Sequence, residues 1–304
     1  MFYPDGVIAS LVTPFDSSGD VDEKGMVQSI EFQKGAGSQG VCVLGGTGEP
    51  MSIERRDREK LMKLAVETSK GKIDVIVGAL VGNPEEVAYD VEAAKRAGAQ
   101  ACLVTATPFV RPSDKDVERF FSHLATLEMP LVLFNTPSRS GSFISPDMIQ
   151  RLSATYETIV GVKESSRDII TMTKVRSKCP SPFAVLQGVD SLFFFTMAAG
   201  GNGGILAAAA VFPEVYAAIV KSVDEADLSR ARVLHYRMMP LIDMLYEASH
   251  PAPLKVALEA RGFLVGKTKP PLYGISDDHA LRVREEVHGI LGDFESLGLT
   301  QGNG

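Results

Sequence analysis

Short apolar runs and longer amphipathic stretches alternate along the chain from its first residues to about position 224. Gly6-Val7-Ile8-Ala9-Ser10-Leu11-Val12-Thr13-Pro14-Phe15 reads as a strand, halted by Pro14 and the polar turn Asp16-Ser17-Ser18-Gly19-Asp20. A helical pattern runs from Asp22 to about Lys34, and Gly40-Val41-Cys42-Val43-Leu44 is a second strand leading into Gly45-Gly46-Thr47-Gly48-Glu49-Pro50. Ser52 is then expected to cap a helix reaching Ser69. Asp74 to Ala79 follows as strand and Pro84 to Ala97 as helix, with Asn83 as cap, Pro84 at the first helical position and Gly98 as the stop. The same spacing predicts a strand over Ala101 to Thr105, a helix over Asp114 to Leu127, a strand over Leu131 to Asn135, a helix over Ser145 to Ala154 and a strand ending at Lys163. Helical residues 168–177, a strand near 184–187, a helix over 190–199, a strand at 204–207 and a helix from near Phe212 complete the series.

Eight such units without a break in composition predict an α/β fold of the (β/α)8 TIM-barrel type, in preference to a doubly wound sheet. Beyond them, Asp227 to about Ala248, Pro253 to about Leu264 and Asp278 to about Leu297 have helical patterns. The expected organisation is a barrel over 1–224 and a helical C-terminal extension over 225–304 packed on one side of it.

Composition narrows the functional classes. With 45% hydrophobic and 23% charged residues, the chain can bury a large core. A net charge of -7 argues against nucleic acid or an anionic membrane as partner, because both are bound through clustered Lys and Arg. No basic leader and no apolar run long enough to span a bilayer occur, so a cytoplasmic protein acting on a small molecule is expected. Cys42, Cys102 and Cys179 lack metal spacing, and His123, His235, His250, His279 and His288 are dispersed with none following a strand. Neither a metal nor another cofactor is expected.

The candidate chemistry centres on Ile159-Val160-Gly161-Val162-Lys163-Glu164-Ser165-Ser166, an apolar run ending in a lysine. Burial favours the neutral amine, so a strand-end lysine in a dry pocket can attack a ketone and form a Schiff base; the alternative is a lysine that snorkels to solvent. In a barrel the groups following each strand meet at one mouth. They are Thr13, Gly46 and Thr47, Thr107 to Arg111, Phe134 to Arg139, Lys163, Gly188 and Asp190, with Ile205 in the eighth strand. The turn Gly45 to Glu49 can offer backbone N–H groups and one hydroxyl to a carboxylate, or be turn geometry alone. Arg139 offers a bidentate carboxylate site, or is a loop or interface charge.

Leu11-Val12-Thr13-Pro14-Phe15, Gly45-Gly46-Thr47-Gly48-Glu49, Phe134-Asn135-Thr136-Pro137-Ser138-Arg139, Gly161-Val162-Lys163-Glu164 and Gly203-Gly204-Ile205, in that order, resemble the dihydrodipicolinate synthase and N-acetylneuraminate lyase family of pyruvate-dependent class I aldolases. The resemblance covers nearly the whole chain. It implies that Lys163 forms the Schiff base, that Thr47 holds the pyruvate carboxylate through hydroxyl and backbone, that Ile205 lies against the pyruvate, and that Arg139 binds the second substrate's carboxylate. It also implies a 2-oxo acid substrate, an aldehyde as candidate second substrate, and a homo-oligomer, most often a tetramer. Three positions depart from the family pattern. Phe134 stands where the family has a proton-carrying tyrosine, Gly46 where it has a threonine, and Phe109-Val110 where it has a second tyrosine. Without those hydroxyls, Thr47, Thr107 and Ser165 are the candidate proton carriers, and ordinary synthase turnover is expected to be weak. The alternatives are an aldolase or dehydratase of 2-oxo-3-deoxy sugar acids and a non-catalytic relative that binds a 2-oxo acid.

Overall fold

The computed structural model describes residues 2–106, 110 and 112–298. Eight parallel strands, β1 (Gly6–Ser10), β2 (Gly40–Val43), β3 (Asp74–Ala79), β4 (Ala101–Val104), β5 (Leu131–Asn135), β6 (Ile159–Glu164), β7 (Ala184–Gln187) and β8 (Gly203–Leu206), form a closed barrel in sequence order. Closure comes from β8 pairing with β1, where Ile205 stands opposite Ile8. Between the strands run α1 (Glu23–Gly35), α2 (Arg55–Ser69), α3 (Pro84–Ala97), α4 (Asp114–Ala125), a single-turn α5 (Pro137–Ser140), α6 (Pro146–Thr155), α7 (Ile169–Lys178) and α8 (Phe193–Ala198). After β8 come α9 (Pro213–Asp224), α10 (Leu228–Tyr246), α11 (Ala252–Ala260) and α12 (Asp277–Ser296). No helix among the described residues is long and apolar enough to cross a membrane.

Side-chain alternation along each strand divides the core in two. Ile8, Cys42, Ile76, Leu103, Val132, Phe134, Leu186 and Ile205 fill the barrel interior, while Val7, Ala9, Val41, Val43, Leu131, Leu133 and Val162 pack outward under the helices. Local signals explain most of the helix boundaries. Asp22, Asn83, Ser113, Ser145 and Asp168 each accept a backbone N–H from the first turn of the following helix, and Gly98 ends α3 in the left-handed region.

Several boundaries differ from the sequence reading. Ser52 does not cap α2. The turn after β2 continues as a 3-10 turn over Pro50–Ser52, so the helix begins at Arg55 after Glu54. The first strand pairs only as far as Ser10, because residues 11–15 have left the sheet to form the barrel mouth. The helix expected over 190–199 divides into a 3-10 turn at Asp190–Leu192 and the short α8, where the Asp190 carboxylate accepts the Ala208 N–H, from the segment after the neighbouring β8, at 2.8 Å.

A buried ion pair ties the C-terminal helices to the loop after β2. Lys255 of α11 lies 3.1 Å from Glu49, with both side chains almost fully enclosed, and also donates to the carbonyls of Thr13 at 2.9 Å and Lys267 at 3.0 Å. The other carboxylate oxygen of Glu49 accepts the Lys269 N–H at 2.8 Å. Removing one partner of such a pair leaves an uncompensated charge in the interior, at a cost of about 3–5 kcal/mol. The pair therefore fixes the height at which α10 and α11 meet the barrel mouth.

Candidate active site

Register on β5 and β6 delivers the central lysine. Leu131 pairs with Ile159, but Val132 pairs with Gly161, so Val160 is an extra residue in β6. The bulge advances the rest of the strand by one position, placing Lys163 rather than Val162 opposite Phe134. Paired residues of parallel strands point to the same face, so both side chains enter the barrel mouth. Lys163 is 6% exposed, and its Nζ lies 4.6 Å from the centre of the Phe134 ring. Burial lowers its pKa below the ordinary lysine value; Cys42 and Asp190 oppose the shift, and the Arg139 charge adds a smaller contribution in the direction of burial.

Two buried lysines must be distinguished. Burial lowers the pKa of Lys255 as well, but Glu49 opposes the shift by direct contact. Lys163 has no carboxylate within ion-pair distance among the described residues. Glu49 thus favours the charged form of Lys255, whereas no carboxylate among the described residues contacts Lys163 to do the same. Gly188 allows the Lys163 side chain its path: a β-carbon there would meet the Ser165 hydroxyl and approach Lys163 Cε to 2.7 Å.

Facing the lysine is a chain of hydrogen bonds. Ser10 Oγ donates to Thr47 Oγ1 at 3.1 Å, and Thr47 Oγ1 lies 3.2 Å from His250 Nε2. The imidazole stacks on Tyr246, with ring centres 5.1 Å apart and planes inclined by 12°. Tyr246 is more than a third exposed, yet its hydroxyl donates to the fully buried Asp190 carboxylate at 2.8 Å. Burial raises the Asp190 pKa, opposed by hydrogen bonds from Ala208 and Tyr246. Burial and the nearby Arg139 charge lower the His250 pKa from 6.5 to about 3, so the ring is neutral at ordinary pH.

These groups enclose a cavity of about 580 Å³ lined by Gly46, Thr47, Phe134, Lys163, Gly188 and His250 among others. Arg139 and Arg167 also line it. Arg139 sits on α5, too short a helix for the sequence pattern to reveal, and Arg167 lies just before α7 at a left-handed φ of 65°. Both guanidiniums are exposed, and neither forms an ion pair with another described residue, which leaves two cations available to an anionic ligand. The Ser165 hydroxyl is buried without a hydrogen-bond partner.

Gly46, Thr47, Phe134, Arg139 and Lys163 therefore converge on one cavity, together with Gly188 and Ser165 from the strand-end positions. Thr13 lies beneath it, donating to the Gly48 carbonyl at 2.7 Å. Ile205 does not line the cavity; it is fully buried in the barrel interior, in the cluster that contains Phe134. Thr107, Phe109 and Arg111 lie outside the described residues, and Val110 is exposed. Sequence reasoning missed Tyr246, His250 and Arg167. Tyr246 ends α10 and His250 lies just beyond it, neither after a strand, and no local pattern indicates that the end of α10 reaches the mouth.

Fold and site together define an aldolase-type lyase built on a TIM barrel. A model of the dihydrodipicolinate synthetase family matches residues 3–290. The chain is 34% identical over 287 residues to the 4-hydroxy-tetrahydrodipicolinate synthase of Desulfotalea psychrophila, covering 94% of this chain and 96% of that protein. It is 32% identical to the enzyme of the same name from Methanopyrus kandleri, over 94% and 96% of the two chains. The crystal structure of dihydrodipicolinate synthase from Aquifex aeolicus superposes with a TM-score of 0.90 at 30% identity, covering 96% of this chain and 98% of that one. The chain belongs to the dihydrodipicolinate synthetase family.

Proposed function

We propose that this protein is a Schiff-base lyase in which Lys163 condenses with pyruvate or a related 2-oxo acid. The single observation that carries this reading is the state of Lys163: buried at the floor of a cavity, lowered in pKa, and without a carboxylate to keep it charged. The free amine attacks the ketone carbon, the resulting carbinolamine loses water, and the imine that remains is the electron sink for bond making or breaking at the next carbon. Gly46 and Thr47 hold the acid's carboxylate. Because the Thr47 hydroxyl is already engaged by Ser10 and His250, its backbone N–H is the better donor for this task. Arg139 receives a carboxylate on the second substrate, and the unpartnered Ser165 hydroxyl is free to bond the oxygen at the reacting centre.

A synthase-like condensation of pyruvate with aspartate semialdehyde is the first reaction to test. A second reading, cleavage or dehydration of a 2-oxo-3-deoxy sugar acid, is favoured by Phe134 and Gly46, which remove hydroxyls the condensation uses. The deciding experiment is a coupled reductase assay for the condensation beside a pyruvate-release assay with 2-oxo-3-deoxy sugar acids. Weak condensation is expected; turnover of about ten per second, typical of an efficient enzyme, would show that the missing hydroxyls have been replaced. The same preparation tests the homotetramer by light scattering, against a monomer mass of 32.7 kDa.

A further inference from the structure

We propose that His250, acting through the Thr47 hydroxyl, receives the proton that leaves C3 of the 2-oxo acid once that acid is joined to Lys163. The inference rests on the Schiff-base reading and supplies the group that Phe134 cannot be. The geometry points to it in three ways. First, Ser10 donates to Thr47, so the Thr47 hydroxyl proton is directed to its other partner, His250 Nε2, at 3.2 Å. Second, Nδ1 of His250 has no partner at ordinary hydrogen-bond length, and the Leu245 carbonyl is the backbone group that favours a proton on the ring. The tautomer protonated at Nδ1 accommodates both and leaves Nε2 as an acceptor. Third, the imidazole is steadied by stacking on Tyr246, itself anchored through its hydroxyl to Asp190.

The step balances as follows. The iminium formed on Lys163 carries one positive charge. As the C3–H bond breaks, its proton passes to Thr47 Oγ1 while the Thr47 proton passes to His250 Nε2. The electron pair of that bond becomes the C2–C3 double bond, and the C2–N π pair moves onto the nitrogen, leaving a neutral enamine. The positive charge has moved from Lys163 to His250. In the free protein burial is the main cause that opposes protonation of His250, with the Arg139 charge next. The step moves one positive charge from the iminium nitrogen to the imidazole and adds no net charge to the cavity, so burial opposes it less than it opposes protonation of the free ring. When the enamine adds to an aldehyde, the proton returns through Thr47 to the new alkoxide.

The test separates imine formation from proton removal. Protein is incubated with pyruvate in D₂O, methyl deuteration is followed by NMR, and borohydride trapping on the Lys163 peptide is measured in parallel. In His250→Asn, trapping should persist while deuteration falls about a hundredfold, the lower range of general acid–base assistance. His250→Gln should behave alike, providing a second variant should one fold poorly, and His288→Asn, at an exposed position of α12 outside the cavity lining, should keep its deuteration rate. Wild-type deuteration in either His250 variant, or an equal loss in His288→Asn, overturns the proposal. Trapping without deuteration in the wild-type protein overturns the relay only, whereas no trapping of pyruvate overturns the Schiff-base reading and the relay with it.

Discussion

Phe134 and Lys163 are direct partners across β5 and β6, and the lysine's ammonium position lies 4.6 Å from the centre of the phenylalanine ring. The ring is therefore already where a proton-carrying phenol would stand, lacking only the oxygen. Phe134→Tyr is expected to raise turnover on a substrate of this family by tenfold or more. A β-carbon at Gly46 would meet nothing within 4 Å, so Gly46→Thr can restore a second hydroxyl without displacing its surroundings, and the double variant should exceed either single one. Steady-state assays of the three variants check this. Unchanged turnover in all of them would mean that the proton path does not run along this side of the cavity.

The opposite side of the lysine is governed by Gly188. Because a β-carbon there would approach Lys163 Cε to 2.7 Å, Gly188→Ala must displace the Lys163 side chain. Overpacking of this kind costs about 1–3 kcal/mol of stability. The rate of imine trapping should fall at least tenfold, more than any accompanying change in melting temperature accounts for. A wild-type trapping rate would show that Lys163 reacts from another rotamer.

His250 gives the stability a pH signature. Its pKa is lowered from 6.5 to about 3 by burial, so between those values an unfolded chain binds a proton that the native chain does not. Unfolding is then favoured as pH falls, and this group's contribution to stability declines from pH 6.5 towards pH 3. Buried carboxyls such as Asp190 and Glu164, raised in pKa, act in the opposite sense, so the comparison must be with a variant. His250→Asn is expected to lose less melting temperature than the wild type between pH 7.5 and pH 4.5. Equal losses would place the imidazole in contact with water.

The barrel was legible in the sequence because each unit announces itself locally: Asn83, Pro84 and Gly98 bracket α3, and Ser145 opens α6. Gly46, Thr47, Phe134, Arg139 and Lys163 were legible for the same reason, since each lies at the end of a strand or in the segment that follows it, and barrel topology brings those positions together. Two kinds of feature were not. The bulge at Val160 that aligns Lys163 with Phe134 depends on the partner strand, not on the residues of β6 alone. Tyr246 and His250 reach the mouth only because the Glu49–Lys255 pair and the packing of α10 hold them there, contacts that span some two hundred positions of sequence. Ser52 misled for a third reason: a good capping residue was consumed by a 3-10 turn before the helix began, and its hydroxyl instead faces the Pro270 carbonyl.

The most direct measurement is mass-spectrometric mapping of protein reduced with borohydride in the presence of pyruvate and a panel of other 2-oxo acids. Lys163 contributes little to the core, whose buried Leu, Ile and Phe side chains each supply about 1.5–3 kcal/mol, so Lys163→Ala should fold and provides the control. The account predicts one reduced adduct, on the peptide containing Lys163, absent from Lys163→Ala and absent from the peptide containing Lys255, whose amine is engaged by Glu49 and by the Thr13 and Lys267 carbonyls. An adduct that persists in Lys163→Ala, or none with any acid of the panel, would contradict it.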